Sequence, residues 1–269
     1  MSHLKEQFCT RIIDRYCLNK RGAGRETWHI VLEAEKELPL FQPGDSIGIY
    51  PLSQKPRLYS IASGPSAGRK RIDLTVARVV YERDGVLHRG ECSNYLIEGA
   101  PLHEPVLSCF HQPSRHFIFP KEAPVIMVGA GTGIAPFRAF MQEVECRAVT
   151  PEKCWLFFGE RKSGEDFFYE EFWKRQIGQG RLRLHVAFSC DQEHKVYVQH
   201  RMWEEREEVW RWFQQGAHLF VCGHAQKMAK DVESCLLDIA KDEGGMNQSR
   251  AEEWLLCMKQ NKRYLKDVY

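Results

Sequence analysis

The stretch Val125-Ile-Met-Val-Gly-Ala-Gly-Thr-Gly-Ile-Ala-Pro-Phe-Arg138 constrains the fold of this chain more than any other. An apolar run stops at a glycine-rich loop, and Pro136 follows where proline suits the first turn of a helix. Glycines let a backbone approach an anion, and a helix N-terminus offers unpaired N–H groups. The spacing is G-x-G-x-G, with Ile134 where the third glycine of G-x-G-x-x-G would fall. The loop is therefore either a phosphate cradle of unusual spacing or a tight strand-to-helix turn.

The two halves of the chain read differently on either side of Pro120. Before it, short strands and turns follow one another: Trp28–Glu33, Ser46–Tyr50 after the turn Pro43-Gly44-Asp45, Arg57–Ala62, and Ile72–Tyr81. This pattern predicts an antiparallel β-barrel. After Pro120, strands at Val125–Val128, Trp155–Phe158, Leu182–Phe188 and Leu219–Cys222 alternate with helical segments. One helix is explicit, because Met228, Val232, Cys235, Leu236 and Ile239 recur at helical spacing. The alternation predicts a doubly wound parallel sheet. The expectation is two domains, 1–118 and 119–269, divided near Ser114–Ala123.

Composition narrows the functional classes. A hydrophobic share of 43% can fill two cores, and a net charge of +2 demands neither nucleic acid nor a membrane surface. No apolar run approaches the length of a membrane span, and the first residues do not form a secretory signal. The ten cysteines are scattered without a C-x-x-C pair, so no metal site is expected. Free thiols in a reducing cytoplasm fit this pattern. The N-terminal segment is locally basic, with Arg11, Arg15, Lys20, Arg21 and Arg25 against Asp14 and Glu26. It is either a solvated surface or, with Lys55 and Arg57, a face for an acidic partner.

Two further motifs lie in the barrel half. In Arg57-Leu58-Tyr59-Ser60, an arginine can pair with phosphate, a tyrosine can stack on a flat ring, and a serine can donate to a ring nitrogen. In Gly90-Glu91-Cys92-Ser93, glycine permits close backbone approach, and serine can cap a helix or bind phosphate. Each could equally be plain sheet or an ordinary capped helix.

Taken in order, the three motifs resemble the ferredoxin–NADP reductase family, which includes the reductase halves of diflavin enzymes. The resemblance runs from about Trp28 to Tyr269. It implies FAD on the barrel: Arg57 and Leu58 on the first flavin strand, with Arg57 at the pyrophosphate, Tyr59 against one flavin face and Ser60 near N5. It also implies that Thr75, Val76, Ala77 and Tyr81 line the FAD and that Gly90, Glu91, Cys92 and Ser93 take its pyrophosphate. In the second domain it implies NADPH, with Gly131, Thr132 and Gly133 at the pyrophosphate and nicotinamide. Phe220-Val-Cys222-Gly223 would end beside the nicotinamide, and Asp231 would line the cofactor.

Ser189, Lys195, Tyr197 and Gln199 match the family's Ser-Arg…Lys-x-Tyr-x-Gln pattern for the 2′-phosphate and adenine, and Arg161 matches another contact. Cys190 stands where the pattern has arginine, and a thiol cannot give a guanidinium's bidentate contact. The ending Asp267-Val-Tyr269 resembles that of diflavin reductases. It implies that Tyr269 covers the second flavin face and that Asp267 joins Cys222 and Ser60 around the hydride path.

The resemblance therefore implies an NADPH-dependent flavoprotein reductase that delivers single electrons to a separate acceptor. Sulfite reductase haemoprotein, flavodoxin and ferredoxin are the candidate acceptors. Only Leu52–Pro56 occupies the place of the diflavin connecting domain, and no FMN region precedes residue 28. The expectation is a minimal FAD/NADP unit, either a sulfite reductase-type component or a stand-alone ferredoxin or flavodoxin reductase. A nucleotide-binding subunit without turnover is the alternative of another class.

Overall fold

The computed structural model describes residues 6–20, 22–38, 40–51, 55–68, 70–105, 107–147, 153–223 and 226–269. Arg21 of the basic segment and residues 52–54 of the short link lie outside the described residues. The chain divides into two compact units. One comprises the residues up to Ile118 together with Ala135–Glu143; the other comprises Phe119–Ile134 and Val144–Tyr269.

The first unit is built from β1 (Gln7–Cys17), β2 (Thr27–Ala34), β3 (Ser46–Tyr50), β4 (Arg57–Ser60), β5 (Arg71–Ala77) and β8 (Leu107–Gln112). Between β5 and β8 run a ribbon of β6 (Val80–Arg83) and β7 (Val86–Arg89), then the short helix α1 (Glu91–Asn94). The six-stranded sheet has the order β4-β3-β8-β1-β2-β5, and every adjacent pair is antiparallel. Its two ends meet, because Ile61 bridges Leu74 and the Ala62 N–H donates to the Asp73 carbonyl at 2.7 Å. The sheet is therefore a closed barrel, the arrangement that leaves no exposed edge. Ile12, Ile30, Leu32, Ile47, Ile49 and Leu74 fill it at 0–1% exposure, each burial worth about 1.5–3 kcal/mol.

Two features of this unit depart from the sequence reading. Strand β1, at the centre of the barrel, lies where only a basic surface segment was expected. Phe8, Thr10 and Ile12 alternate inward, and a bulge between Ile12 and Asp14 shifts the register. Two of its arginines are used within the barrel. Arg11 pairs with Glu33 at 2.6 Å, and Arg15 donates to the Leu96 and Ala100 carbonyls at 3.0 and 2.9 Å. The expected strand Ile72–Tyr81 is also two strands. β5 ends at Ala77, and β6 turns back through Asp84 (φ 53°) and Gly85 (φ 73°), the left-handed pair a two-residue hairpin needs.

The second unit holds β9 (Val125–Ala130), β10 (Cys154–Glu160), β11 (Arg183–Phe188), β12 (His218–Gly223) and β13 (Tyr264–Val268). They form an all-parallel sheet in the order β11-β10-β9-β12-β13. Its helices are α2 (Ala135–Glu145), α3 (Ser163–Asp166), α4 (Glu170–Gly178), α5 (Val198–Glu204), α6 (Arg206–Gln214), α7 (Gln226–Asp242) and α8 (Gln248–Gln260), although most of α2 groups with the barrel. Successive residues Val125–Val128 are all fully buried, as a parallel strand covered on both faces requires. Val232, Cys235, Leu236 and Ile239 of α7 pack into the same core, the stripe expected from their spacing. Among the described residues no helix is long and apolar enough to cross a membrane.

Helix α2 is bound to the barrel through polar groups. The Arg138 guanidinium donates to the Ala62 carbonyl at 2.6 Å and to Asp73 at 3.0 Å. Buried Glu143 accepts from the Ser66 N–H and hydroxyl at 3.0 and 2.9 Å, and Gln142 accepts from the Gly64 N–H at 2.8 Å. His29, 1% exposed, lies 3.5 Å from Asp73. Burial lowers the His29 pKa to about 4, against the opposing pull of Asp73.

Candidate functional site

In the parallel sheet the chain runs outward from β9 to β10 and β11, then crosses to β12 and β13 on the other side. The switch point falls between β9 and β12, and open α/β sheets bind ligands beyond the carboxyl ends of strands at such a point. The glycine turn is there. Gly131 has φ +57°, and Gly133 lies so close to β12 that an added Cβ would stand 2.1 Å from the Cys222 carbonyl oxygen. The turn therefore needs glycine at both positions. Pro136 sits in the first turn of α2, as its fixed φ suits.

Each of the other strands ends on a candidate residue. Arg161 follows β10, and Ser189 and Cys190 follow β11. Their backbones interlock, Ser189 N–H donating to the Glu160 carbonyl at 2.9 Å and Cys190 N–H to the Arg161 carbonyl at 2.7 Å. The exposed Cys190 thiol has its pKa lowered by hydrogen bonds from the Ser189 hydroxyl and the Arg161 guanidinium, with Lys195 adding positive charge. These residues thus form one cationic patch. Tyr197, partly exposed, caps α5, its N–H donating to His200 Nδ1 at 3.2 Å. Gln199 on α5 donates to Asp231 on α7 at 3.5 Å, so two distant candidates meet.

Cys222 and Asp267 are register partners at the ends of β12 and β13. Full burial raises the Cys222 thiol pKa far above its ordinary value, and Asp267 adds to the rise, so the group stays a neutral thiol. Tyr269 follows β13, its N–H 3.4 Å from the Gly223 carbonyl and its phenol oxygen 2.6 Å from Thr132 Oγ1. The structure therefore brings Thr132, Cys222, Asp267 and Tyr269 together. One neighbour escaped the sequence reading: a Cβ on Gly131 would lie 3.3 Å from the Glu160 carboxylate. The Gly159-Glu160-Arg161 turn that follows β10 is its signal in the sequence.

In the barrel unit the candidates are more dispersed. β4 pairs with β3, placing Ser60 opposite Ser46 and Tyr59 opposite Ile47. Arg57 and Leu58 are exposed, and Tyr59 and Ser60 half-buried. The Tyr59 phenol is hydrogen-bonded to the Cys92 thiol of α1, and burial raises the pKa of both groups. Thr75 and Val76 are buried on β5, and Ala77 is exposed. A Cβ on Gly90 would meet Val79 Cβ at 2.7 Å. The Ser93 hydroxyl is used inside the unit, accepting from the Val79 N–H at 3.2 Å and lying 3.3 Å from the Gly90 carbonyl. Glu91 is exposed in the first turn of α1. Tyr81 lies on the exposed ribbon rather than on β5, its ring stacked on His88 at 5.3 Å.

A glycine turn at the switch point of a five-stranded parallel sheet, in a chain that also forms a closed barrel, defines a nucleotide-binding fold of the barrel-plus-α/β class. Residues 127–234 match the oxidoreductase NAD-binding domain. The chain is 46% identical over 221 residues to a sulfite reductase [NADPH] flavoprotein alpha-component of Vibrio cholerae, covering 80% of this chain and 35% of that protein. A second, from Shewanella oneidensis, is 43% identical over 244 residues, covering 88% and 38%. A third, from Yersinia pestis, is 40% identical over 291 residues, covering 100% and 47%. The chain thus spans between about a third and a half of the length of these curated relatives. Residues 127–234 thus carry the oxidoreductase NAD-binding domain of the ferredoxin–NADP reductase family, in a chain whose curated relatives are named as NADPH flavoproteins.

Proposed function

We propose that the chain is an FAD-dependent NADPH oxidoreductase that passes single electrons to a separate acceptor, of the kind found in sulfite reductase flavoproteins. The observation that carries this reading is the convergence of candidates at one edge of the parallel sheet: Gly131–Gly133, Arg161, Ser189–Cys190, Cys222 and Asp267 stand at or just beyond the carboxyl ends of five strands. The barrel, residues 1–118, is assigned to FAD and the segment 119–269 to NADPH.

The residues present fit both groups. For the dinucleotide there is a glycine turn seated so closely on β12 that Gly133 admits no Cβ, with Arg161 and Lys195 grouped for a phosphate. For the flavin, exposed Arg57 and half-buried Tyr59 lie on one short strand, with Cys92 fixing the phenol. When bound, NADPH supplies hydride and FAD converts the pair into single electrons. The chain's own work is binding and orientation. Gly131–Gly133 and the patch Arg161, Ser189, Cys190, Lys195, Tyr197 and Gln199 hold the nucleotide, with Asp231 behind Gln199. Arg57, Leu58, Tyr59, Thr75, Val76, Ala77, Tyr81, Gly90, Glu91, Cys92 and Ser93 hold the flavin. Cys222 keeps its proton and so adds no charge beside the nicotinamide. Asp267 and Tyr269 join Cys222 on the NADPH side and Ser60 is assigned to the flavin, and a cytoplasmic location suits a haemoprotein, flavodoxin or ferredoxin as acceptor.

The test is the purified chain's absorption spectrum and its response to NADPH. A flavin spectrum bleached by NADPH, followed by reduction of sulfite reductase haemoprotein faster than of flavodoxin or ferredoxin, is the expected result. A colourless protein that takes up no FAD sinks the enzyme reading, and flavodoxin or ferredoxin as the faster acceptor moves it to the stand-alone class.

A further inference from the structure

His185 lies in the middle of β11, an edge strand of the parallel sheet. Its Nδ1 accepts from the indole N–H of buried Trp155 at 2.9 Å. Its Nε2 is 2.9 Å from the carboxylate of Glu205, which also pairs with Arg183 at 2.6 Å. An indole only donates and a carboxylate only accepts, so the two partners dictate one form of the ring, neutral with its proton on Nε2. The other groups facing the ring are uncharged Phe157 of β10, stacked at 5.4 Å, and the guanidinium groups of Arg183 on β11 and Arg201 on α5. Burial holds the His185 pKa below its ordinary value against the pull of Glu205, and the two arginines add to the fall. A second proton has to go to Nδ1, where it ends the Trp155 bond, because two N–H groups then face each other.

Glu205 is the residue that joins α5 to α6. Helix α5 has only 7 residues, too few to be stable alone, so its place depends on its ties. At its start the Cys235 thiol of α7 donates to the Gln199 carbonyl at 3.3 Å, and further along Arg201 donates to the Val186 carbonyl at 3.1 Å. Glu205 is the tie at its end. We propose that His185 is a positioning residue: when neutral it fastens the α5–α6 junction to Trp155 in the sheet, and a second proton turns the ring away from Trp155 and slackens Tyr197 and Gln199 at the start of α5. This rests on the reading of Tyr197 and Gln199 as nucleotide residues. Loss of one neutral hydrogen bond corresponds to about a two- to tenfold change in affinity.

The experiment uses 2′-phospho-ADP-ribose, which carries the adenine half of NADPH, on the flavin-loaded protein and on His185→Gln and His185→Leu. Glutamine offers an acceptor to Trp155 and a donor to Glu205 but takes no proton, and leucine offers neither. Dissociation constants are measured by calorimetry from about pH 8 down to about pH 5, on either side of the ordinary histidine value. The Trp155 indole N–H is followed by NMR over the same interval. The ratio of wild-type to His185→Gln constants cancels the titration of the ligand's own phosphate. Expected are equal constants at the upper end and a wild-type constant about two- to tenfold larger at the lower end. The indole signal should be lost from the wild type on acidification and kept in His185→Gln, and His185→Leu should bind weakly throughout. A ratio constant with pH, an indole signal that does not titrate, or wild-type affinity in His185→Leu at the upper end overturns the positioning role while leaving the nucleotide site intact. Failure of the compound to bind the wild-type protein at any pH removes the reading of Tyr197 and Gln199, and this inference with it.

Discussion

In the barrel unit the charges of Asp73 and Arg138 are enclosed beside a neutral His29, whereas in the sheet unit those of Arg161 and Lys195 stand with Ser189 and Cys190 beyond the strand ends. The enclosed charges are committed to one another and to the Ala62 carbonyl. At the sheet edge backbone bonds tie the Arg161 turn to Ser189 and Cys190, and Cys190 lies exposed there. The difference separates charge that holds a fold from charge that meets a ligand. Burial makes the first kind a matter of stability, and exposure makes the second a matter of affinity.

The comparison is most directly broken at Asp73. Asp73→Asn leaves the Arg138 guanidinium buried beside a neutral amide, and the barrel unit should lose about 3–5 kcal/mol. Urea unfolding followed by tryptophan fluorescence measures it, and a loss under about 1 kcal/mol would show the network to be incidental.

Acid should act on the same network. His29 has a folded pKa of about 4 against an ordinary 6.5, so the unfolded chain binds the extra proton. Its contribution is fully present above pH 6.5 and is lost as pH falls towards 4, about 3 kcal/mol in all. Asp73 is held below its ordinary value by Arg71, His29 and Arg138 and stays charged over that window. Unfolding free energies measured at successive pH values should fall between 6.5 and 4, and His29→Gln should flatten the fall. An unflattened curve would assign the effect to His185 and His218, whose half-buried rings are also shifted down.

At the sheet edge the smallest effect is expected, and on a different observable. Cys190→Arg should raise the preference for NADPH over NADH about tenfold through one charge-assisted contact, with the thermal midpoint unchanged. Steady-state kinetics with the two nucleotides checks this. A shifted midpoint with unchanged preference would place Cys190 on the structural side of the comparison.

What was legible in the sequence follows the same division. Strands β9, β10 and β12 of the sheet unit and the stripe on α7 were visible because full burial writes continuous or helical apolar patterns; β13, half-buried and interrupted by Lys266 and Asp267, was not among the expected strands. The edge residues were visible because glycine turns and their spacing are local. Strand β1 was hidden because polar Thr10 weakens its inward phase, the bulge after Ile12 ends the alternation, and Arg11, Asp14 and Arg15 read together as a charged surface segment. The hairpin signal Asp84-Gly85 was present, yet the apolar run through Val79, Val80 and Tyr81 reads as one strand. Arg138 with Asp73, Glu143 with Ser66 and Thr132 with Tyr269 join residues 65 to 137 positions apart, and no local pattern encodes such pairs.

The grouping of Ala135–Glu143 with the barrel bears on how the chain is made. As the polypeptide leaves the ribosome, β1 waits for β8, about a hundred residues later, before its second edge is paired. Even then Asp73 and Ser66 wait for Arg138 and Glu143, which arrive only after the first strand of the next sheet has been synthesised. The N-terminal unit therefore cannot finish folding as a separate bead before its successor begins, unlike the usual order of domain synthesis. A ribosome paused near residue 118 would expose a barrel still lacking the helix that ties down its Gly64–Ser66 turn.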